Sequence, residues 1–180
     1  MKRGYRSLFY GPPGTGKTLT ASLLGKMAEM PVFRIDLSMV VSKYIGETEK
    51  NLGSIFDQAE YKNWILFFDE ADALFGKRTQ VKDSKDRYAN QEVSYLLQRI
   101  EDFPGISILA TNLKNNLDDA FIRRFQSVVY FPMPGVDARE ELWRKSIPPS
   151  FRISSEVDFR QLAQAHEMAG GAIINVARYS

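Results

Sequence analysis

The sequence predicts an α/β fold in which helices sandwich a parallel five-stranded sheet, followed by a small helical unit. Three observations predict it. Short apolar runs alternate with segments that have helical periodicity, the intervening segments are long enough to serve as crossover helices, and the alternation ends after Phe131. Because parallel strands must be joined by such crossovers, this order favours a parallel sheet over an antiparallel one.

The predicted strands are five apolar runs: Ser7–Tyr10, Val32–Leu37, Trp64–Asp69, Ser107–Thr111 and Val128–Phe131. The clearest helices between them are Lys17–Glu29, Glu47–Tyr61 and Tyr88–Phe103. In the last of these helices the apolar residues recur with helical spacing, so that one face is apolar: Val93, Leu96, Leu97 and Ile100. We expect the apolar faces of the helices to cover the sheet.

A domain boundary is predicted at Pro132–Gly135, where proline and glycine interrupt the chain. Residues 1–134 form the α/β domain in this interpretation, and residues 135–180 form a helical lid. The lid contains the predicted helices Asp137–Ile147 and Asp158–Glu167, and a third helix from about Gly171. Because little precedes the first strand and the last helix stops at Ser180, we expect a truncated lid in a piece of a longer protein.

Composition excludes several classes of function. The chain of 180 residues has no cysteine and a single histidine, His166, which excludes disulfides, thiolate catalysis and zinc sites built from cysteine or several histidines. Its 24 basic and 22 acidic residues are interspersed, so a nucleic-acid partner is not expected. No apolar run approaches the ~18 residues of a membrane span, and no apolar leader is visible. We therefore expect a cytoplasmic protein without a membrane partner.

The segment between the first strand and the first helix has the composition of a phosphate-binding loop, Gly11-Pro12-Pro13-Gly14-Thr15-Gly16-Lys17-Thr18. Its three glycines let backbone amides surround a phosphate, and the helix that follows directs its positive end to the same anion. Lys17 can reach the β and γ phosphates, and the Thr18 hydroxyl can ligate Mg²⁺. We include Leu19 among the predicted nucleotide contacts. The alternative is a turn that only caps a helix.

Two acids end the third strand, and they are the candidates for metal binding and catalysis. In a parallel α/β sheet, ligands collect at the carboxyl ends of strands. Asp69 is predicted to hold Mg²⁺ through its water shell, and Glu70 to orient and polarise the attacking water. The alternative is a pair of acids that cap the next turn. For Asp72 we favour a structural or capping role.

Four motifs in this order resemble the AAA ATPases, which are ring-forming remodelling proteins and unfoldases: Gly11–Thr18, Phe67–Asp72, Ala110–Asn112 and Leu117–Phe125. The resemblance covers nearly the whole chain and implies ATP and Mg²⁺ as ligands. It places Asn112 at the position called sensor 1, where an amide contacts the γ-phosphate and the attacking water. A turn-forming Asn is the alternative.

The same resemblance implies roles for four further residues. Arg123 and Arg124 fall where the family has arginine fingers, which reach across a subunit interface to a phosphate. Adjacent residues on a helix point roughly 100° apart, so both cannot approach one phosphate, and we favour Arg124. Tyr44 lies in a segment like the first pore loop, which grips a threaded polypeptide, or else packs on the next helix. Gly171 is predicted to touch the adenine.

The leading hypothesis is an ATP hydrolase, completed between the subunits of a ring, that remodels or unfolds a protein client. We expect the ring to be a hexamer in the whole protein. One alternative is a nucleotide-gated scaffold with little turnover, which the presence of Glu70 disfavours. The other is a DNA-acting loader or helicase, which the nearly balanced charge disfavours.

Overall fold

The computed structural model describes residues 4–39, 47–74, 94–112, 119–148, 154 and 157–179. The chain forms two compact units. The first contains Met1–Tyr10 and Thr18–Tyr130, and the second contains Gly11–Lys17 together with Phe131–Ser180. The loop Gly11–Lys17 is thus grouped with the C-terminal residues. The domain boundary at residue 134 stays a prediction.

The first unit is built on a five-stranded, entirely parallel sheet, as predicted. Its strands are β1 (Tyr5–Tyr10), β2 (Val32–Asp36), β3 (Ile65–Asp69), β4 (Ile106–Thr111) and β5 (Ser127–Tyr130), in the spatial order β2-β3-β4-β1-β5. The first strand begins at Tyr5, two residues before the predicted start, because Tyr5 pairs with Ile106 of β4.

The helices of the first unit are α1 (Lys17–Met27), α2 (Glu47–Lys62), α3 (residues 94–102) and α4 (Asp119–Ile122), and residues 37–39 after β2 are also helical. A short 3₁₀ helix, Ala71–Leu74, follows β3. The N-terminal part of the predicted helix Tyr88–Phe103 lies outside the described residues. In the part of the chain that the structure describes, no helix is long and apolar enough to cross a membrane.

One face of the sheet packs against α2 and α3. Successive strand residues point to opposite faces, so that every second residue of a buried strand enters the same core. This core contains residues of the sheet and of both helices, all buried: Leu8, Ile35, Leu66, Phe68, Leu109, Leu52, Phe56, Ala59, Leu96, Leu97 and Ile100. The predicted apolar face of α3 is therefore confirmed at Leu96, Leu97 and Ile100.

The other face of the sheet carries the alternate residues of the same strands, among them Phe9, Phe67 and Ile108, which are also buried. Helix α1 lies over this face, and its Ala21 is fully buried. Strand registers bring the carboxyl ends of neighbouring strands together, since Asp36 is opposite Asp69 and Tyr10 is opposite Thr111. The predicted site residues at the ends of β3 and β4 thus share one edge of the sheet.

The second unit contains α5 (Val136–Ser146), α6 (Phe159–Ala165) and α7 (Gly170–Tyr179). Its small core is formed by Trp143, Phe159, Ala163 and Ile173. Arg139 of α5 is only 6% exposed. Its Nε and Nη2 donate to the Ala163 carbonyl at 2.9 and 2.8 Å, and its Nη1 donates to the Pro134 carbonyl at 2.6 Å. The guanidinium therefore satisfies a carbonyl in the last turn of α6, where helix geometry leaves no backbone donor.

We predict that Arg139→Met lowers the free energy of unfolding of this unit by about 2 kcal/mol, because the buried Ala163 carbonyl and the partly buried Pro134 carbonyl lose their donors. The measurement is chemical denaturation followed by Trp143 fluorescence in a Trp64→Phe background. Lys145→Met is the control, since Lys145 lies on the same helix and pairs with the exposed Glu141. Equal midpoints for the two variants would contradict the role of Arg139.

Candidate functional site

The loop Gly11–Lys17 depends on backbone conformations that favour glycine. Gly11, Gly14 and Gly16 have φ angles of +142°, +74° and +102°, which residues with a side chain rarely adopt. At Gly11 an added Cβ would also lie 2.2 Å from the Phe131 carbonyl oxygen. The glycines that the sequence motif contains are therefore required by the shape of this loop.

Lys17 is folded back onto the loop. Its side-chain ammonium donates to the carbonyl oxygens of Gly11 at 2.7 Å and Pro12 at 2.9 Å, and Lys17 is 7% exposed. The Thr15 hydroxyl donates to the same Pro12 carbonyl at 2.8 Å. These bonds place a positive charge inside the curl of the loop.

Gly171 lies against the loop within the second unit. Its backbone N–H donates to the Gly14 carbonyl at 2.9 Å. A Cβ at Gly171 would meet the Gly14 Cα at 3.4 Å, so the two glycine backbones are in van der Waals contact. The structure thus brings Gly171 beside the predicted phosphate loop, and its contact with adenine stays a prediction.

The carboxylate of Asp69 lies in the first unit and collects three donors. The Thr18 hydroxyl donates to Oδ2 at 3.3 Å, although the two residues are 51 positions apart in the chain. The Glu70 backbone N–H donates to Oδ1 at 3.0 Å. Arg34 of β2 forms an ion pair with Oδ2, with Nη2 at 2.8 Å. The structure therefore brings together the predicted metal residues Thr18 and Asp69.

Glu70 has an unusual backbone. Its φ angle is +56°, in the left-handed region. Within the described ranges, Glu29 and Asn63 share this property, but they follow α1 and α2, where a left-handed residue commonly ends a helix. Glu70 instead follows a strand. A non-glycine residue held in this region costs of order 1 kcal/mol, and such strain collects at functional sites.

Asp72 connects the segment after β3 to the end of β4. It accepts hydrogen bonds from the Thr111 hydroxyl and from the Asn112 backbone N–H, the latter at 3.1 and 3.2 Å to its two oxygens. Because both donors are at the end of β4, Asp72 fixes the position of the Asn112 backbone. This contact agrees with the structural role that we expect for Asp72.

The remaining predicted residues differ in what the structure says of them. Arg124 forms an ion pair with Glu101 of the same chain, and its side chain is 45% exposed. Arg123 is exposed on the same segment, and Leu19 is 61% exposed on α1. Tyr44 lies outside the described residues. None of these observations tests the roles that the family resemblance implies.

Arg34 and Asp36 on β2 are site residues that the sequence analysis missed. Asp36 is opposite Asp69 in the strand register. The hydroxyl of Ser38 donates to Asp36 at 2.6 Å, and this hydrogen bond, with the Ser38 backbone N–H at 3.0 Å, holds the pKa of Asp36 below its ordinary value. Charged residues in an otherwise apolar strand were the available signal, but only the register places them beside Asp69.

The donor set around Thr18 and Asp69 suits Mg²⁺. Hydroxyl and carboxylate oxygens are the ligands that this ion prefers, and it commonly takes one or two side chains together with phosphate oxygens. Over the described ranges, no three His, Cys, Asp or Glu side chains converge on a metal position. Thr18 and Asp69 are a donor set that fits a metal held jointly with a nucleotide.

We predict that Gly11→Ala destabilises the loop much more than Gly16→Ala. Both substitutions place a side chain at positive φ, but only the first adds a Cβ against the Phe131 backbone, whereas nothing lies within 4 Å of Gly16. Thermal unfolding of the two variants checks this. If both lower the melting temperature equally, the close approach of Gly11 to Phe131 is not a constraint on the fold.

Comparisons with known proteins identify the family. The sequence model of the ATPase family associated with various cellular activities (AAA) matches residues 7–133. "Protein SUPPRESSOR OF K(+) TRANSPORT GROWTH DEFECT 1" of Arabidopsis thaliana is 33% identical over 97% of the chain and 41% of its own length. Vacuolar protein sorting-associated protein 4B of Mus musculus is 35% identical over 94% of the chain and 39% of its length.

An archaeal relative, the proteasome-activating nucleotidase of Archaeoglobus fulgidus, is 34% identical over 93% of the chain and 44% of its own length. The chain thus spans about two fifths of the length of these relatives. The matched region contains the glycine loop, the acids that end β3, and Asn112. This protein therefore belongs to the AAA family of ATPases.

Proposed function

We propose that this chain binds ATP with Mg²⁺ and hydrolyses it, and that its active site is completed by a neighbouring subunit in a ring, most simply a hexamer. The ring would use hydrolysis to remodel or unfold a protein client. The observation that carries the proposal is the hydrogen bond between Thr18 and Asp69. It joins the residue after the glycine loop to the acid that ends β3, which is what shared binding of Mg²⁺ requires.

The glycine loop would bind the phosphates. In this proposal its backbone amides surround the β phosphate, and Lys17 turns from the Gly11 and Pro12 carbonyls towards the β and γ phosphates. Thr18 and Asp69 would hold Mg²⁺, which when bound neutralises charge on the β and γ phosphates. Pro12, Pro13, Thr15, Leu19 and Gly171 complete the proposed nucleotide site, with Gly171 beside the adenine.

Glu70 is the proposed general base. The left-handed backbone at this position is a strained conformation of the kind that collects at functional sites. It supports a catalytic role for the Glu70 carboxylate. Asn112, proposed to contact the γ-phosphate and the attacking water, donates its backbone N–H to the carboxylate of Asp72. Asp72 is therefore a positioning residue in this mechanism.

Arg124 is the proposed arginine finger. Its ion pair with Glu101 of the same chain would have to open, or be kept while another nitrogen of the guanidinium reaches the neighbouring subunit's phosphate. Arg123 is the second candidate, or an interface partner. Tyr44 is the proposed contact with a threaded client.

The first test is the steady-state ATPase rate at increasing protein concentration with Mg²⁺. We expect the rate per chain to rise with concentration, because a finger can reach a phosphate only after subunits associate. Lys17→Ala is expected to abolish nucleotide binding. Glu70→Gln and Arg124→Ala should retain binding and lose at least ~100-fold in rate, and Arg123→Ala is the matched control for Arg124.

Two outcomes of this test would contradict the proposal. Loss of rate in Arg123→Ala but not in Arg124→Ala would reassign the finger. Negligible turnover at every concentration and ring state, with Lys17-dependent ATP binding intact, would identify a nucleotide-gated scaffold instead of a hydrolase.

A second test addresses Asp72. We expect Asp72→Ala to lower kcat about tenfold or more while the affinity for ATP changes little, because the Asn112 backbone loses its acceptor and the amide is misplaced. Asp57→Ala, which removes an exposed acid of α2 that pairs with Arg99, is the control and should leave kcat close to wild type. A loss of ATP affinity without a loss of kcat would show that Asp72 does not position a catalytic group.

A further inference from the structure

Arg34 is a cation placed directly at the proposed metal site. It comes from β2, the edge strand beside β3, and its Nη2 lies 2.8 Å from Asp69 Oδ2. Its side chain is 57% exposed, whereas that of Asp69 is 13% exposed. The ion pair therefore joins a carboxylate that is largely enclosed to a guanidinium that solvent can reach.

The hydrogen bonds at Asp69 leave little room for another partner on Oδ2. A carboxylate oxygen offers two lone-pair directions. At Oδ2 one is used by the Thr18 hydroxyl at 3.3 Å and the other by Arg34. Oδ1 accepts from the Glu70 backbone N–H at 3.0 Å.

Magnesium held by Thr18 and by a water on Asp69 needs one of these directions. Thr18 can ligate the ion through its oxygen and still donate its proton to Asp69, so its bond is compatible with the metal. The bond from Arg34 opposes the metal, because it takes up one of the acceptor directions of Asp69 that a metal-bound water could use, and because it adds a like charge next to the ion.

We propose that Arg34 competes with Mg²⁺ for Asp69 and thereby sets the magnesium concentration at which the site binds Mg-ATP. The inference rests on the proposed nucleotide site and deepens it by naming a residue that tunes its metal affinity. Because coupling between two ligands of one group is reciprocal, Mg-ATP weakens the Arg34–Asp69 pair as much as the pair weakens Mg-ATP binding. Arg34 is a positioning residue and contacts no reacting atom.

The test is binding of a fluorescent ATP analogue to the full chain at increasing Mg²⁺ concentration. In Arg34→Met, which keeps the length of the side chain but not its charge, we expect the half-effective Mg²⁺ concentration to fall about threefold, the scale of a partly exposed ion pair. Arg34→Lys keeps the charge and should remain close to wild type. Lys62→Met, which removes a cation near Trp64 at the opposite end of β3, should also remain unchanged.

A second measurement compares melting temperatures without nucleotide and with saturating Mg-ATP. We expect Arg34→Met to lower the melting temperature without ATP and Mg²⁺, because Asp69 loses its cationic partner. Saturating Mg-ATP should narrow the difference from wild type, since the metal then supplies the charge. For Lys62→Met, the difference in melting temperature from wild type should be the same with and without Mg-ATP.

The outcomes separate the two proposals. If the half-effective Mg²⁺ concentration is unchanged or higher in Arg34→Met, or if it falls equally in Lys62→Met, the proposed competition is overturned while the nucleotide site stays in place. Absence of Lys17-dependent ATP binding by wild type at any magnesium concentration would overturn the proposed function, and the inference with it.

Discussion

The arrangement of residues around Asp69 depends on one constraint: its carboxylate is largely enclosed at the end of β3 and needs hydrogen-bond donors. A charged group in this setting is costly unless donors surround it. Here the donors come from α1, from β2 and from the next backbone amide. The β2–β3 register supplies Arg34, since a shift of one residue would turn its side chain to the other face of the sheet. The sheet thus fixes the site.

Backbone conformation is the second constraint, and it acts on both units. In the loop of the second unit, three glycines at positive φ create the curl that encloses Lys17. In the first unit, Glu70 adopts a left-handed conformation without being glycine. Both features hold polar groups in directions that regular helices and strands cannot give them. At Gly11 the close approach of the Phe131 backbone also leaves no room for a side chain.

Family membership and the geometry of the site answer different questions about this protein. The match over residues 7–133 identifies a member of the AAA family, and it says nothing about which chemistry each side chain performs. The contacts among Thr18, Asp69, Asp72 and Asn112 motivate particular roles. The role proposed for Arg34 follows neither from the family match nor from those contacts. It follows from Asp69 Oδ2, the carboxylate oxygen that Arg34 shares with Thr18.

By itself the sequence determined the sheet and the motifs. Apolar runs that alternate with helices favour parallel strands, and the sheet is parallel. The glycines before Lys17 are a local pattern, because each glycine permits the backbone conformation at its own position. Asp69 and Glu70 were predicted as site residues because the end of a buried strand is a local feature. Tertiary structure alone decided that Arg34 pairs with Asp69, that Asp72 holds Asn112, and that Gly171 contacts Gly14. These contacts join residues far apart in the chain, and they depend on register and packing, which no local pattern encodes.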